Sequence, residues 1–110
     1  MPRTPTERLT PTETILLQVI QASPDKRAYP AQILRGSQGD LKEGTLYVIL
    51  GRLKKQAILD AQRVKITTTQ GPRVCIYYSL TKKGVEMLRV EEEKIMARLQ
   101  RFIWKKEITP

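Results

Sequence analysis

The spacing of apolar residues changes period twice along this chain, and that change limits the possible folds more than any other feature. Up to Gln56 the apolar residues recur at three- and four-residue intervals. From Leu59 to Leu80 they alternate with polar ones, and after Lys82 the helical interval returns. A pattern of period 3.6 does not hold as a strand, nor one of period 2 as a helix, so helices must flank a single β segment.

Each segment carries its own start and stop signals. In "TPTE" (10–13) Thr10 is placed to cap a helix, Pro11 suits its first position, and Glu13 stands where a capping box needs it. Ile15, Leu16, Val19 and Ile20 follow at helical spacing, and Pro24 in "SPDKR" ends the run. A short second helix is expected from about Pro30, with Ala31, Ile33 and Leu34, broken by "GSQGD" at 36–40. The third, "EGTLYVILGRLKK", spans about Lys42 to Gln56. It sets Leu46, Leu50 and Leu53 on one side and Val48, Arg52 and Lys55 on the other.

Val64 and Ile66 then alternate with Arg63, Lys65 and Thr67, and "QGP" at 70–72 makes a turn. In "RVCIYYSL" one face holds Val74, Ile76, Tyr78 and Leu80, the other Arg73, Cys75, Tyr77 and Ser79. Tyr77 and Tyr78 are expected to be structural, one capping the core under the hairpin and one on its far face. Cys75 is an ordinary small strand residue. Thr81 caps a last helix from about Lys82 to Glu107, and residues 1–9, with Pro2 and Pro5, form a flexible arm.

The charge is unevenly placed. The chain carries +9 overall, and residues 41–83 hold nine basic side chains against only Glu43 and Asp60. Such a concentrated positive field attracts polyanions. Other classes are disfavoured. No apolar run approaches the ~18 residues that span a bilayer, so no membrane partner is expected. The single cysteine and the absence of histidine leave no plausible zinc site. No catalytic carboxylate pair, serine–histidine pair or glycine-rich phosphate loop occurs, so neither an enzyme nor a cofactor is expected. The cysteine usage and the polar start "MPRTPTERLTP" fit the reducing cytoplasm.

Three short helices followed by a basic hairpin make an α+β, mainly helical chain with the layout of a winged helix-turn-helix. In that layout the third helix enters the major groove of double-stranded DNA. Gly44 and Thr45 at its start let backbone approach a phosphate. Thr45, Tyr47 and Val48 are candidates for base edges. Lys42, Arg52, Lys55 and, from the hairpin, Arg63, Lys65 and Arg73 are candidates for phosphates. For Arg52 the competing assignment is an internal ion pair with Glu43 or Asp60.

"GTLYVILGRLKKQAIL" and "GPRVCIYYSLTKKGVEML" resemble the PadR family of winged-helix transcriptional regulators. The matching residues are Gly44, Thr45, Leu46 and Tyr47, then Arg52 and Leu53, then Tyr77, Tyr78, Leu80, Thr81 and Gly84. Two departures stand out: Ala28 precedes Tyr29 where the family often has Gly, and Ala57 stands where its helix usually ends in Gly. The resemblance covers roughly residues 13–90. It implies a dimeric, DNA-binding repressor joined through its C-terminal helix. Some members bind flat aromatic effectors between those helices. Trp104 lies near the helix end, which favours packing in a dimer contact over a ligand role, and nothing else in the residues calls for a small-molecule effector.

The residues support a dimer independently. A helix from 82 to 107 is roughly 40 Å long, while the remaining residues make a body only about 30 Å across, so the helix must overhang. Leu88, Ile95, Met96, Leu99, Phe102 and Ile103 form an apolar stripe on it, with Glu91, Arg98, Arg101 and Lys105 outside and "EEEK" (91–94) as a solvated turn. A second copy is the simplest cover for such a stripe. The chain divides accordingly into an arm (1–9), a winged-helix DNA-binding domain (10–81) and a dimerisation helix (82–110). The competing assignments are an architectural or DNA-segregation protein that coats DNA, and a winged-helix protein-interaction module.

Overall fold

The first helix begins as its sequence specifies. In the computed structural model, which describes residues 8–108 and the side chains of 8–103, α1 (Pro11–Ala22) opens with a closed capping box. Glu13 N donates to Thr10 Oγ1 at 3.1 Å, and Thr10 N donates to Glu13 Oε1 at 2.9 Å. Leu16, Leu17 and Ile20 form its buried face, and the extended backbone of Ser23 ends it. There follow β1 (Arg27–Ala28), α2 (Pro30–Gly36), α3 (Glu43–Lys55), β2 (Leu59–Thr68), β3 (Gly71–Leu80) and α4 (Lys82–Ile108).

β1 is a strand that the alternation pattern does not reveal, since two residues cannot show a period. It pairs antiparallel with β3, Arg27 opposite Ser79 and Ala28 opposite Tyr78, so the sheet runs β1-β3-β2. The α1, α2 and α3 helices pack Leu16, Leu17, Ile20, Ile33, Leu46, Leu50 and Leu53 around one core, closed by Ile58 and Leu59. Each such side chain contributes about 1.5–3 kcal/mol of burial.

The hairpin register decides what the wing presents. Val64 stands opposite Cys75 and Ile66 opposite Arg73, whereas Lys65 faces Val74 and Arg63 faces Ile76. Directly opposed residues share a face of the sheet. In the outer part of the wing, Val64 and Ile66 of β2 and Val74 and Ile76 of β3 therefore lie on opposite faces, and each face there mixes apolar with basic side chains. At the base of the wing, Tyr78 and Leu80 pack against the core. Tyr77 lies on the far face, where the Tyr29 ring meets it edge-on at 5.6 Å and the Arg27 guanidinium sits 4.7 Å over it.

α4 is fastened to the end of α3 by its first turn. Thr81 Oγ1 donates to Ala57 O at 2.5 Å and accepts from Gly84 N at 3.1 Å, while Thr81 N donates to Ile58 O at 3.1 Å. A Cβ on Gly84 would lie 2.2 Å from Ile58 O, so only glycine allows this crossing. The Leu-Thr-x-x-Gly segment is thus a structural joint. Ala57, at φ +59°, holds the left-handed conformation that ends α3, which explains in physical terms why glycine suits this position.

Three expectations for the ends of the chain are corrected. Leu9 is buried in the core and Arg8 donates from Nε and Nη2 to the two carboxylate oxygens of Glu91 at 2.9 and 3.1 Å, so these two residues are held against the body. Glu91 is accordingly buried rather than solvated, and the guanidinium of Arg8 holds its carboxyl below the usual carboxylate range. Leu88, 4% exposed, is a core residue and is unavailable to an external stripe. The rest of that stripe is open: every described side chain from 92 to 103 is exposed, among them Ile95, Met96, Leu99, Phe102 and Ile103. The molecule measures 64 × 33 × 25 Å, the long dimension reflecting this overhang. The side chains of Trp104 and Lys105 lie outside the described residues, as do residues 1–7 of the expected arm.

Candidate nucleic-acid interface

α3 turns one face inward and leaves the other to solvent. Leu46, Ile49, Leu50 and Leu53 are buried. On the far side Gly44, Tyr47, Val48, Gly51 and Lys55 are exposed, Val48 by 67%. Among the described residues nothing lies within 4 Å of where a Cβ would stand on Gly44 or Gly51. A glycine inside a helix costs about 1 kcal/mol relative to alanine, so Gly51 gives up stability with no packing reason among the described residues.

The start of α3 differs from those of α1 and α4. Its N-cap is Lys42, and among the described residues no side chain caps the helix there. The amide groups of the first turn, at Glu43, Gly44 and Thr45, are therefore open to an external acceptor, and the helix dipole favours an anion at that place.

All ten residues that the sequence nominates for DNA contact are exposed: Lys42, Gly44, Thr45, Tyr47, Val48, Arg52, Lys55, Arg63, Lys65 and Arg73. They are not equivalent. Arg52 donates from Nη2 to Oε2 of the buried Glu13 at 3.1 Å, an internal pair with neither of the acidic residues expected for it. Its side chain remains about half exposed, so it holds α3 to α1 and still presents charge outward. Arg63 and Lys65 share the wing face that carries Val74 and Ile76, whereas Arg73 lies on the opposite face with Ile66 and donates to Gln70 at 2.8 Å.

Between α3 and the wing lies an open groove of about 330 Å³, lined by Tyr29, Pro30, Tyr47, Val74, Ile76 and Tyr78 among others. Burial, with a smaller contribution from Tyr47, raises the Tyr78 pKa. Sequence reasoning nominated none of Tyr29, Val74, Ile76 and Tyr78 for contact. The strand alternation groups the last three with Leu80 on one apolar face, and only the tertiary fold places the outer part of that face beside the groove. Gly51 did carry a signal, as a glycine on the polar side of a helix.

No protein-family model and no curated protein sequence matches the chain. Solved structures do. A PadR family transcription regulator from Clostridium difficile is similar with a TM-score of 0.66 over 84% of this chain and 97% of its own, at 20% identity. A Streptococcus mutans protein matches over 96% of both chains with a TM-score of 0.67 at 21% identity. Those two establish the winged-helix frame with its long C-terminal helix. A PadR-like transcription factor from Bacteroides fragilis is 32% identical, with a TM-score of 0.57 over 82% of this chain and 82% of its own. Identity at that level, spread over four fifths of both chains, goes beyond a shared frame: this chain belongs to the PadR-like family of transcription regulators.

Proposed function

We propose that the protein is a sequence-specific, double-stranded DNA-binding transcription regulator that acts as a two-fold dimer and represses by occupying its site. The observation that carries this role is the arrangement on one side of the molecule: the uncapped start of α3, its open outer face and the inner face of the wing, all within the segment 41–83 that holds most of the excess positive charge. Lys42, Lys55, Arg63 and Lys65 supply phosphate contacts and the salt-dependent part of affinity. Arg52 supplies one through whatever its pair with Glu13 leaves free, and Arg73 reaches a phosphate from the outer side of the wing. Thr45, Tyr47 and Val48 meet base edges, with Gly44 and Gly51 letting the helix settle close.

Dimerisation is assigned to the overhanging half of α4, through Ile95, Met96, Leu99, Phe102 and Ile103. Five large apolar side chains along an unsupported helix are most simply covered by the same face of a second copy. Two such monomers present their α3 helices about 34–36 Å apart, or a multiple of that. The role is binding rather than catalysis, and it places the protein in the cytoplasm, where the DNA is. Selection from random duplex DNA at about 0.15 M salt tests it. A two-fold symmetric motif is expected. Retention of DNA with no motif would mean an architectural, DNA-coating role, and no retention would remove DNA as the partner in favour of a protein.

A further inference from the structure

The apolar side chains on the inner face of the wing are unexplained by folding. Val74 is 48% exposed and Ile76 41%, although both stand on the face that at its base packs Tyr78 and Leu80 against the core. The strand continues outward past the point where the body ends, and it remains apolar there. The register places Lys65 directly opposite Val74 and Arg63 directly opposite Ile76, so this face alternates cation and hydrocarbon. The groove beside this face is also bordered by Tyr47 on α3 and by Tyr29 and Pro30 at the start of α2.

A partner for such a surface must carry negative charge and apolar area at the same spacing as neighbouring strand residues. A protein partner has little use for two unpaired cations among the apolar contacts, and a bare anion has no use for the valine and isoleucine. The backbone of DNA has both: phosphates outside and deoxyribose rings between them. In helix-turn-helix docking the first helix of the motif crosses the backbone beside the groove that the second enters, so a strand of duplex is expected to pass the start of α2.

We infer that Val74 and Ile76 are DNA-contact residues, packing on successive deoxyribose rings of the strand that runs through the groove between α3 and the wing, with Arg63 and Lys65 on the flanking phosphates. This rests on the DNA-binding role proposed above. Sugar contacts are the same for every base sequence. The two apolar residues therefore add affinity that salt does not screen, and they fix how deeply α3 seats without selecting a base.

The test uses the full chain and two labelled duplexes, the selected site and a mixed sequence, titrated at about 0.05 and 0.2 M salt. Val74→Thr/Ile76→Thr keeps both side chains β-branched, so the strand is retained. The double variant is expected to raise Kd about tenfold, by equal factors on both duplexes, with the slope of log Kd against log salt unchanged. Arg63→Ala, by contrast, lowers that slope by about one. Val74→Thr alone is measured alongside, so that early melting of the double variant cannot hide the contact. Unchanged Kd in the threonine variants, with Arg63→Ala still weakened, would overturn the inference and leave the DNA-binding role standing. Loss on the selected site alone would also overturn it, since the side chains would then touch bases. Failure of the unaltered protein to bind either duplex would instead bring down the underlying role.

Discussion

The Arg52 guanidinium on α3 donates to Glu13, a fully buried carboxylate that also closes the capping box of α1. One side chain thus sets the start of the first helix and the position of the third. A substitution of Arg52 accordingly acts on the fold before it acts on DNA. Arg52→Ala is expected to lose about 1–3 kcal/mol of stability in urea titration, because it takes one charged partner from the buried carboxylate. Exposure of the arginine places the value toward the lower end. Glu13→Gln keeps an acceptor for Thr10 N and should lose less. An Arg52→Ala protein as stable as the parent would make the pair energetically silent.

Two glycines should respond in opposite directions. Gly84→Ala drives a Cβ into the Ile58 carbonyl, a backbone atom that cannot yield without moving the α3–α4 joint. A loss of about 3 kcal/mol or failure to fold is expected. Gly51→Ala meets nothing and should gain about 0.5–1 kcal/mol through helix propensity, while weakening DNA binding if that face seats against a groove. A variant that melts higher and binds DNA as tightly as before would move the interface away from Gly51.

Ala57 sits at φ +59°, where a Cβ is strained and glycine is not. Ala57→Gly is expected to raise stability by about 0.5–1 kcal/mol, the relief of strain exceeding the extra entropy of the unfolded chain. Thermal melting reads it directly, and a lowered Tm would mean that the surrounding hydrogen bonds, not the side chain, limit this turn.

Leu99 lies in the exposed half of α4, where nothing described in the chain covers it. Leu99→Glu should leave the melting of the winged-helix body nearly unchanged and convert a dimer to a monomer in sedimentation. Affinity for a two-half-site duplex should fall toward that for a single half-site. A dimer mass retained by the variant would place the contact elsewhere, and a monomer mass for the parent would remove the proposed dimer.

The Arg8–Glu91 pair makes a pH prediction. The folded-state pKa of Glu91 is lowered, first by its hydrogen bond from Arg8. The unfolded chain therefore takes up the proton more readily than the folded one. The stabilisation is complete above the ordinary carboxylate value of 4.5 and is lost as pH falls through the lowered folded value. Arg8→Gln should flatten this part of the acid denaturation curve and leave neutral-pH DNA binding intact. A curve that superimposes on that of the parent would assign acid sensitivity to other carboxylates.

Much of this molecule is written locally. The helix caps at Thr10 and Thr81, the helical spacing of Leu46, Leu50 and Leu53 and the alternation through the wing each depend on residues within a few positions, and the structure forms them as the sequence predicts. The overhanging, apolar end of α4 is legible for the same reason, because length and periodicity need no partner to be seen.

What remained hidden depends on residues far apart in the chain. Glu13 meets Arg52 across 39 positions and Arg8 meets Glu91 across 83, and no periodicity records such a meeting. Leu88 has the same spacing as the exposed residues after it and differs only in lying where the body still reaches α4. The wing makes the point most sharply. Alternation in β2 and β3 establishes two faces on each strand, but a one-residue slip in pairing exchanges them. Only the register, Lys65 opposite Val74 and Ile66 opposite Arg73, places Val74 and Ile76 beside Lys65 and Arg63 on the face that looks toward α3.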